Sequence, residues 1–290
     1  MQPDAFPPPD PATLAPDSAA TTSWPAEPLP SVHAPYSSLL YLPDPRVRWG
    51  LPTAVLTIVG IVLPLAVLIL LFGFDVLPYS AGLAFAGALA SYLVALIVPF
   101  AASRLRGLGT MAADFGLRFR WIDVPIGIGL GIAVRVVILF VLAAFAPLLQ
   151  DAQGNLDIDP DPLWFVLSSV LIPVVVAPLV EEVLCRGVVM RAVRNRMLRG
   201  SAESAPTRGR RVWAMVFSIL ASTAVFALLH GHQMVNAATI VTLGVTTVTA
   251  GLAHGWIATI TGRLGAAIVS HATLNGSAVL LLALLPLLTP

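Results

Sequence analysis

Long apolar runs broken by short polar connections set the pattern of this chain, and seven of them are long enough to cross a bilayer. They fall near residues 51–73, 79–101, 123–149, 163–190, 212–231, 236–261 and 264–288. A spanning helix needs about 20 predominantly apolar residues. In lipid each backbone amide must be satisfied inside its own segment, which selects helices. The pattern therefore predicts an all-α, polytopic transmembrane helical bundle of about seven spans, or eight if a short or re-entrant helix is counted. No internal repeat is visible. Residues 1–45 break the pattern: they hold 12 of the 25 prolines and have no basic stretch leading into an apolar core. That does not read as a signal peptide. It reads as a disordered, proline-rich cytoplasmic tail with too little apolar surface to fold, followed by one transmembrane domain over 46–290.

The 290-residue chain is 57% hydrophobic and 11% charged, against about 25% charged residues in soluble domains. A net charge of +1 gives no sign of a nucleic-acid partner, and all 16 basic residues are arginine. The single cysteine, Cys185, leaves no internal disulfide and no multi-cysteine metal site. Where the arginines lie matters more. Arg46 and Arg48 precede the first run, and Arg104, Arg106, Arg118 and Arg120 fill the second connection. Eight more run from Arg186 to Arg211, and Arg263 separates the last two runs. The alternate connections DVLPYS, DAQGNLDIDPD and GHQMVN have none. Cytoplasmic loops carry the excess of basic residues. The asymmetry predicts a multi-pass protein of the cell membrane with a cytoplasmic N-terminus and an external C-terminus.

Against this background the stretch APLVEEVLCRG, residues 177–187, stands out. A charged side chain at the bilayer centre costs about 2.5–3.5 kcal/mol on insertion scales, and Glu181, Glu182 and Arg186 fall within a turn and a half. Glu182 and Arg186 are four apart, acid first, the favourable order for an ion pair; a purely structural pair is an even alternative. Glu181 points about 100° away and is presented to something else. Pro173 and Pro178 upstream each remove a helical hydrogen bond and can kink the helix, opening space beside Glu181. Two further helices offer partners: Phe226 and His230 share one face in FALLHGHQ, and His271 and Asn275 share one in SHATLNGS. Together they suit a water-activating site. Glu181 would be the general base, His230 would hold or share the water's proton, and His271 and Asn275 would donate to an oxyanion.

The plainer readings are an interfacial His230 and an Asn275 that serves as an interhelical hydrogen bond. His232 and His254, near a helix end or beside glycine, read as incidental, and Cys185 as a small apolar packer. Arg135, mid-span in the third run, either lines a cavity, where it could meet a substrate carboxylate, or pairs within the bundle. Depth sets a condition. With straight spans Glu181 and His271 fall in the inner halves of their helices and His230 near the outer end of its own. The set assembles only if the fifth helix is short or partly re-entrant, or the fourth sits deeper than drawn.

These three blocks together resemble the CAAX-protease and bacteriocin-processing (CPBP, or Abi) family of intramembrane endopeptidases. Its Glu-Glu-x-x-x-Arg motif is matched by Glu181, Glu182 and Arg186, its Phe-x-x-x-His by Phe226 and His230, and its His-x-x-x-Asn by His271 and Asn275. GWIATITGRLGAAIVSHATLN and DFGLRFRWIDVPIGIGLG are also similar to stretches of that family, and the resemblance covers roughly residues 110–280. Cys185 departs from it where an aromatic residue is common, which affects packing rather than the polar set. The resemblance implies hydrolysis of a peptide bond in a membrane-associated or CAAX-like substrate, with the lipid bilayer as the other partner and Glu181 activating water. It leaves two chemistries open, a metal-free glutamate mechanism and a metal-assisted one. No His-Glu-x-x-His signature is present; Glu181, His230 and His271 supply the ligand types of a zinc site with water in the fourth position. Two other classes stay in view: a catalytically silent membrane binding or assembly partner, and an ion- or proton-coupled transporter, the latter disfavoured by the lack of a repeated half.

Overall fold

The computed structural model describes residues 34–149, 159–199 and 206–288. Its helices long and apolar enough to cross a membrane are seven among the described residues: α1 Leu51–Gly73, α2 Ala81–Arg106, α3 Asp123–Ala143, α4 Pro162–Leu198, α5 Arg208–Leu229, α6 Ala237–Thr261 and α7, whose apolar span is Gly265–Leu284. No strand occurs among the described residues. The seven-span, all-α expectation holds, with shifted boundaries. α3 stops at Ala143 and yields to a short 3₁₀ turn at Ala146–Leu148, and α4 runs eight residues past the expected end at 190.

α4 is the axis of the bundle. Residues 180–192 are buried without a break, as expected of a helix with neighbours on all sides. The outer helices pair around it: α1 with α2, α3 with α7, α5 with α6. Small residues allow the closest of these approaches. On α3, Gly127 and Gly131 face α7, where a Cβ at Gly131 would come within 2.7 Å of the Ser270 carbonyl. On α6, Gly251 and Gly255 face α5, and a Cβ at Gly251 would lie 2.6 Å from Thr223 Cγ2. The outward faces carry exposed Val55, Leu56, Val59, Leu63, Val136 and Phe140, the surface a lipid environment would cover.

Local chemistry fixes the helix ends. α6 starts with a reciprocal capping box between Asn236 and Thr239 and stops at Gly262, whose φ of 69° is left-handed. The next turn brings Arg263 onto Asp123, at 2.7–2.9 Å, and so joins the start of α3 to the start of α7.

α4 itself is wound unevenly. Phe165–Val176 and Val183–Val189 are π-helical, with i→i+5 bonding, and α-helical turns lie before, between and after them. Such wide turns concentrate at functional sites. Here Ala177 N–H bonds to Ile172 O, five residues back. The same register would pair Pro173 O with residue 178, which is proline and has no N–H. Pro173 O is left for a partner from another helix.

The tail expected to run through residue 45 ends earlier. Its portion 1–33 lies outside the described residues, whereas residues 34–49 pack along the arginine-rich end of α4. Tyr36 is buried beneath Arg191 and Arg194, whose guanidinium carbons lie 4.0 and 4.4 Å from its ring centre. Arg194 also donates to the carbonyls of Tyr36 and Ser38 at 2.7 and 3.0 Å. Tyr41 donates its hydroxyl to Asn195 Oδ1 at 2.8 Å, and burial pushes that phenol up to about 12. The segment reads as tail because it continues a proline-rich stretch with no long apolar run; aromatic rings meeting arginines of a distant helix hold it.

Candidate active site

Glu182 turns inward and is fully buried. Its Oε1 accepts three N–H bonds, each of 3.0 Å: from Arg186 Nη1 one turn on, His254 Nδ1 of α6 and His271 Nδ1 of α7. Arg186, equally buried, donates from Nη2 to Gly251 O at 3.1 Å and lies 4.8 Å above the Phe226 ring. The i,i+4 pair is therefore present as the centre of a network spanning α4, α5, α6 and α7. A buried charge pair depends on such additional hydrogen bonds, and here they are concentrated on one carboxylate oxygen: Glu182 Oε2 and Arg186 Nε are buried with no hydrogen-bond partner among the described residues.

Glu181 diverges from its neighbour and faces a cavity of about 790 Å³. Its Oε1 accepts from the Tyr92 hydroxyl of α2 at 3.3 Å, and its Oε2 lies 3.8 Å from His271 Nε2. His230, His271, Asn275, Tyr92 and Arg135 line the same cavity. His230 caps the end of α5, its Nδ1 2.9 Å from Phe226 O. A ring nitrogen on a carbonyl must carry the proton, which leaves Nε2 with its lone pair. Phe226 stands edge-on to both His230 and His271, at 4.9 and 5.5 Å between centres, so the aromatic residue of the second motif spaces the two imidazoles. Asn275 Nδ2 donates to Pro173 O at 2.7 Å, filling the acceptor that the Pro173/Pro178 pair leaves open. The interhelical hydrogen bond considered for Asn275 exists, and one amide N–H stays available to the cavity.

Helix lengths answer the question of depth. His271 lies six residues into α7, while Glu182, which it touches, lies sixteen from the arginine-side end of α4. At about 1.5 Å per residue, α4 projects roughly 15 Å beyond the start of α7 on that side. The fourth helix is longer than drawn, so no re-entrant fifth helix is needed. The cavity reaches Tyr79, Asp159 and Gln233 in the three arginine-free connections, and its lining includes none of the arginine-rich ones.

Two participants escaped the reading of the sequence. His254 is fully buried, with Nδ1 on Glu182 and Nε2 3.1 Å from Ser270 Oγ. A signal existed, because an ionisable residue inside a span is a functional candidate by default, and a neighbouring glycine does not remove that. Tyr92 had no local signal; only the packing of α2 on α4 brings it to Glu181. Cys185 is buried as a packer, and His232 is exposed with its ring on Leu229 O.

Glu181, His230 and His271, the ligand types considered for zinc, line one cavity, but among the described residues they are not the group whose ligand atoms lie closest together. The ligand atoms within 4.8 Å of one another belong to Glu182, His254 and His271. Both imidazole Nδ1 atoms there already bond to the carboxylate oxygen that holds Arg186. A zinc ligand must offer a lone pair, and a guanidinium on the same oxygen repels a cation. As arranged, Glu182, His254 and His271 do not fit a zinc ion.

Residues 162–277 match the family model described as Type II CAAX prenyl endopeptidase Rce1-like. No curated protein and no solved structure matches the chain. The matched stretch is shorter than the 110–280 of the motif resemblance, yet it carries α4 to α6, the first part of α7, all three motifs and His254. Tyr92 and Arg135 fall before it. The resemblance drawn from the motifs is thus met independently over residues 162–277, which are similar to the Rce1-like Type II CAAX prenyl endopeptidases, in a chain whose described residues include seven helices long and apolar enough to cross a membrane.

Proposed function

We propose that the protein is an intramembrane endopeptidase that hydrolyses a peptide bond with Glu181 as general base. One observation carries the reading: a single cavity within the span is lined by Glu181, His230, His271 and Asn275, one residue or more from each motif. In this mechanism Glu181 takes a proton from water, and the hydroxide attacks the scissile carbonyl carbon. The C–N bond then breaks as the proton passes to the leaving amine. His230 Nε2 orients the water through its lone pair. The free N–H of Asn275 donates to the oxyanion, joined by His271 when protonated, because Nδ1 is held by Glu182 and Nε2 faces the cavity. Glu182, Arg186 and His254 act as positioning residues, since they contact one another and His271 rather than the cavity. The chain is oriented with its proline-rich N-terminus cytoplasmic and its C-terminus external, as the arginine asymmetry supports.

The test maps peptide termini in membranes of cells expressing the wild type or Glu181→Ala at matched levels. New termini with the wild type alone are expected. Identical termini, with the native host's membrane proteins present, would leave a membrane partner without catalysis as the better description.

A further inference from the structure

Glu181 and His230, the two residues that handle water in the proposed mechanism, border a second cavity as well as the first. It measures about 240 Å³. Ile61 and Leu65 of α1 and Leu229 at the end of α5 line it beside Tyr92, Glu181 and His230. His271 and Asn275 border only the first cavity. The two spaces therefore divide the site by role. The groups that take or orient the water's proton touch both, and the groups that meet the oxyanion touch one.

The second cavity has the character of a water site. A water occupies about 30 Å³ and needs two to four polar partners, so 240 Å³ holds several, and Glu181, Tyr92, His230 and Ser91 supply partners. Gln233 gives an independent sign. It borders both cavities, and its Oε1 is buried with no hydrogen-bond partner among the described residues. A buried acceptor is normally met by a donor, which water in the cavity supplies. His232 marks the mouth: it lines the cavity, is exposed, and belongs to the arginine-free connection GHQMVN.

Hydrolysis consumes one water for each bond cut, and a peptide seated in the first cavity covers Glu181 from that side. We infer that the second cavity is a separate water path, which opens beside His232 between α1 and the end of α5 and delivers water to Glu181 and His230 while the peptide is bound. The inference rests on the endopeptidase reading for the use of this water, but not for its presence.

The test exploits Cys185, the only cysteine and fully buried, so that a cysteine added on α1 is the one open to a water-borne reagent. Leu65→Cys shortens a half-buried side chain that lines the second cavity, and Leu63→Cys changes an exposed neighbour that faces lipid. Both full-length variants are placed in phosphatidylcholine nanodiscs, which leave both faces open. They are treated with the anion 2-sulfonatoethyl methanethiosulfonate, and the mass gain is followed with time. Cleavage is read in cell membranes as the rate at which wild-type-specific termini form, before treatment, after it, and after dithiothreitol, with the native chain treated in parallel.

The reagent attacks thiolates, which water supports and apolar surroundings suppress. Leu65→Cys should therefore react at least about 10-fold faster than Leu63→Cys. The attached group should slow terminus formation about 10-fold or more, dithiothreitol should restore it, and the native chain should be unaffected. Leu65→Cys reacting no faster than Leu63→Cys would overturn the inference, in favour of a cavity filled by acyl chains, and leave the endopeptidase reading intact. Modified Leu65→Cys that forms termini at the untreated rate would overturn it as well. Fast reaction at Leu65→Cys in a protein whose wild type forms no termini would establish the water path and refute the endopeptidase reading.

Discussion

Glu181 and Glu182 are adjacent and chemically identical, yet their neutralisation should damage the protein in opposite ways. Glu182 holds Arg186, His254 and His271 on one oxygen in a site without solvent. Glu182→Gln keeps an acceptor for the two imidazoles but strands the Arg186 guanidinium. Removing one partner of a buried ion pair costs about 3–5 kcal/mol. At about 2–4 °C per kcal/mol for chains of 150–250 residues, that is a melting loss of roughly 6–20 °C. Glu181→Gln disturbs only the 3.3 Å bond from Tyr92 and a 3.8 Å contact to His271, worth about 1 kcal/mol at most. It should melt within about 4 °C of wild type while losing activity. Cys185 supplies the assay, being the only cysteine, fully buried, and placed between Glu182 and Arg186. A fluorogenic maleimide in detergent labels it only when α4 opens, so the labelling midpoint on heating reports the site itself. The double variant Glu182→Gln with Arg186→Met removes the stranded charge and should recover at least half of the loss. Glu182→Gln labelling at the wild-type temperature, or a double variant melting below both singles, would refute the electrostatic account.

Four further outcomes follow from the same contacts. Asn275→Ala leaves Pro173 O without its donor, which should cost about 1–3 kcal/mol and lower the Cys185 labelling midpoint as well as turnover; a slower enzyme of unchanged stability would assign Asn275 to the oxyanion alone. Tyr92→Phe removes one long hydrogen bond to Glu181, so kcat should fall about threefold to tenfold with KM and melting little changed, and an unaltered kcat would remove Tyr92 from the site. His254→Ala should lower kcat by about tenfold, with partial recovery in His254→Asn, whose amide can still donate to Glu182; equal rates in the two variants would argue that His254 only fills space. Tyr36→Ala removes the ring under Arg191 and Arg194 and should cost about 1–2 kcal/mol, read as earlier Cys185 labelling, whereas a wild-type midpoint would show that the segment at 34–49 does not brace α4.

Much of this protein was written in local pattern. The apolar runs gave seven helices because a span is a property of one segment: its length against the bilayer and its own satisfied backbone. The pair Glu182–Arg186 was legible for the same reason, since four residues of one helix fix its geometry. The motifs also named Glu181, His230, His271 and Asn275 as a group. Other features could come only from the tertiary structure. Which glutamate faces the cavity and which is buried depends on how α4 is rotated among its five neighbours α1, α2, α5, α6 and α7. The third donor to Glu182 is His254, set aside in the sequence because it stands beside glycine; that it meets Glu182, 72 residues away, is decided by packing alone. Pro173 and Pro178 foretold a disturbed helix, but not that the wide turn frees Pro173 O for Asn275. Depth was misjudged because hydropathy ends the run where the arginines cluster, at residue 190, whereas α4 continues through Arg191, Arg194 and Arg196, with Arg191 and Arg194 held by Tyr36 and Tyr41 from a segment read as tail. A linear pattern records what each segment prefers alone; the helix stagger that unites Glu182 with His254 and His271 arises only when several segments share one core.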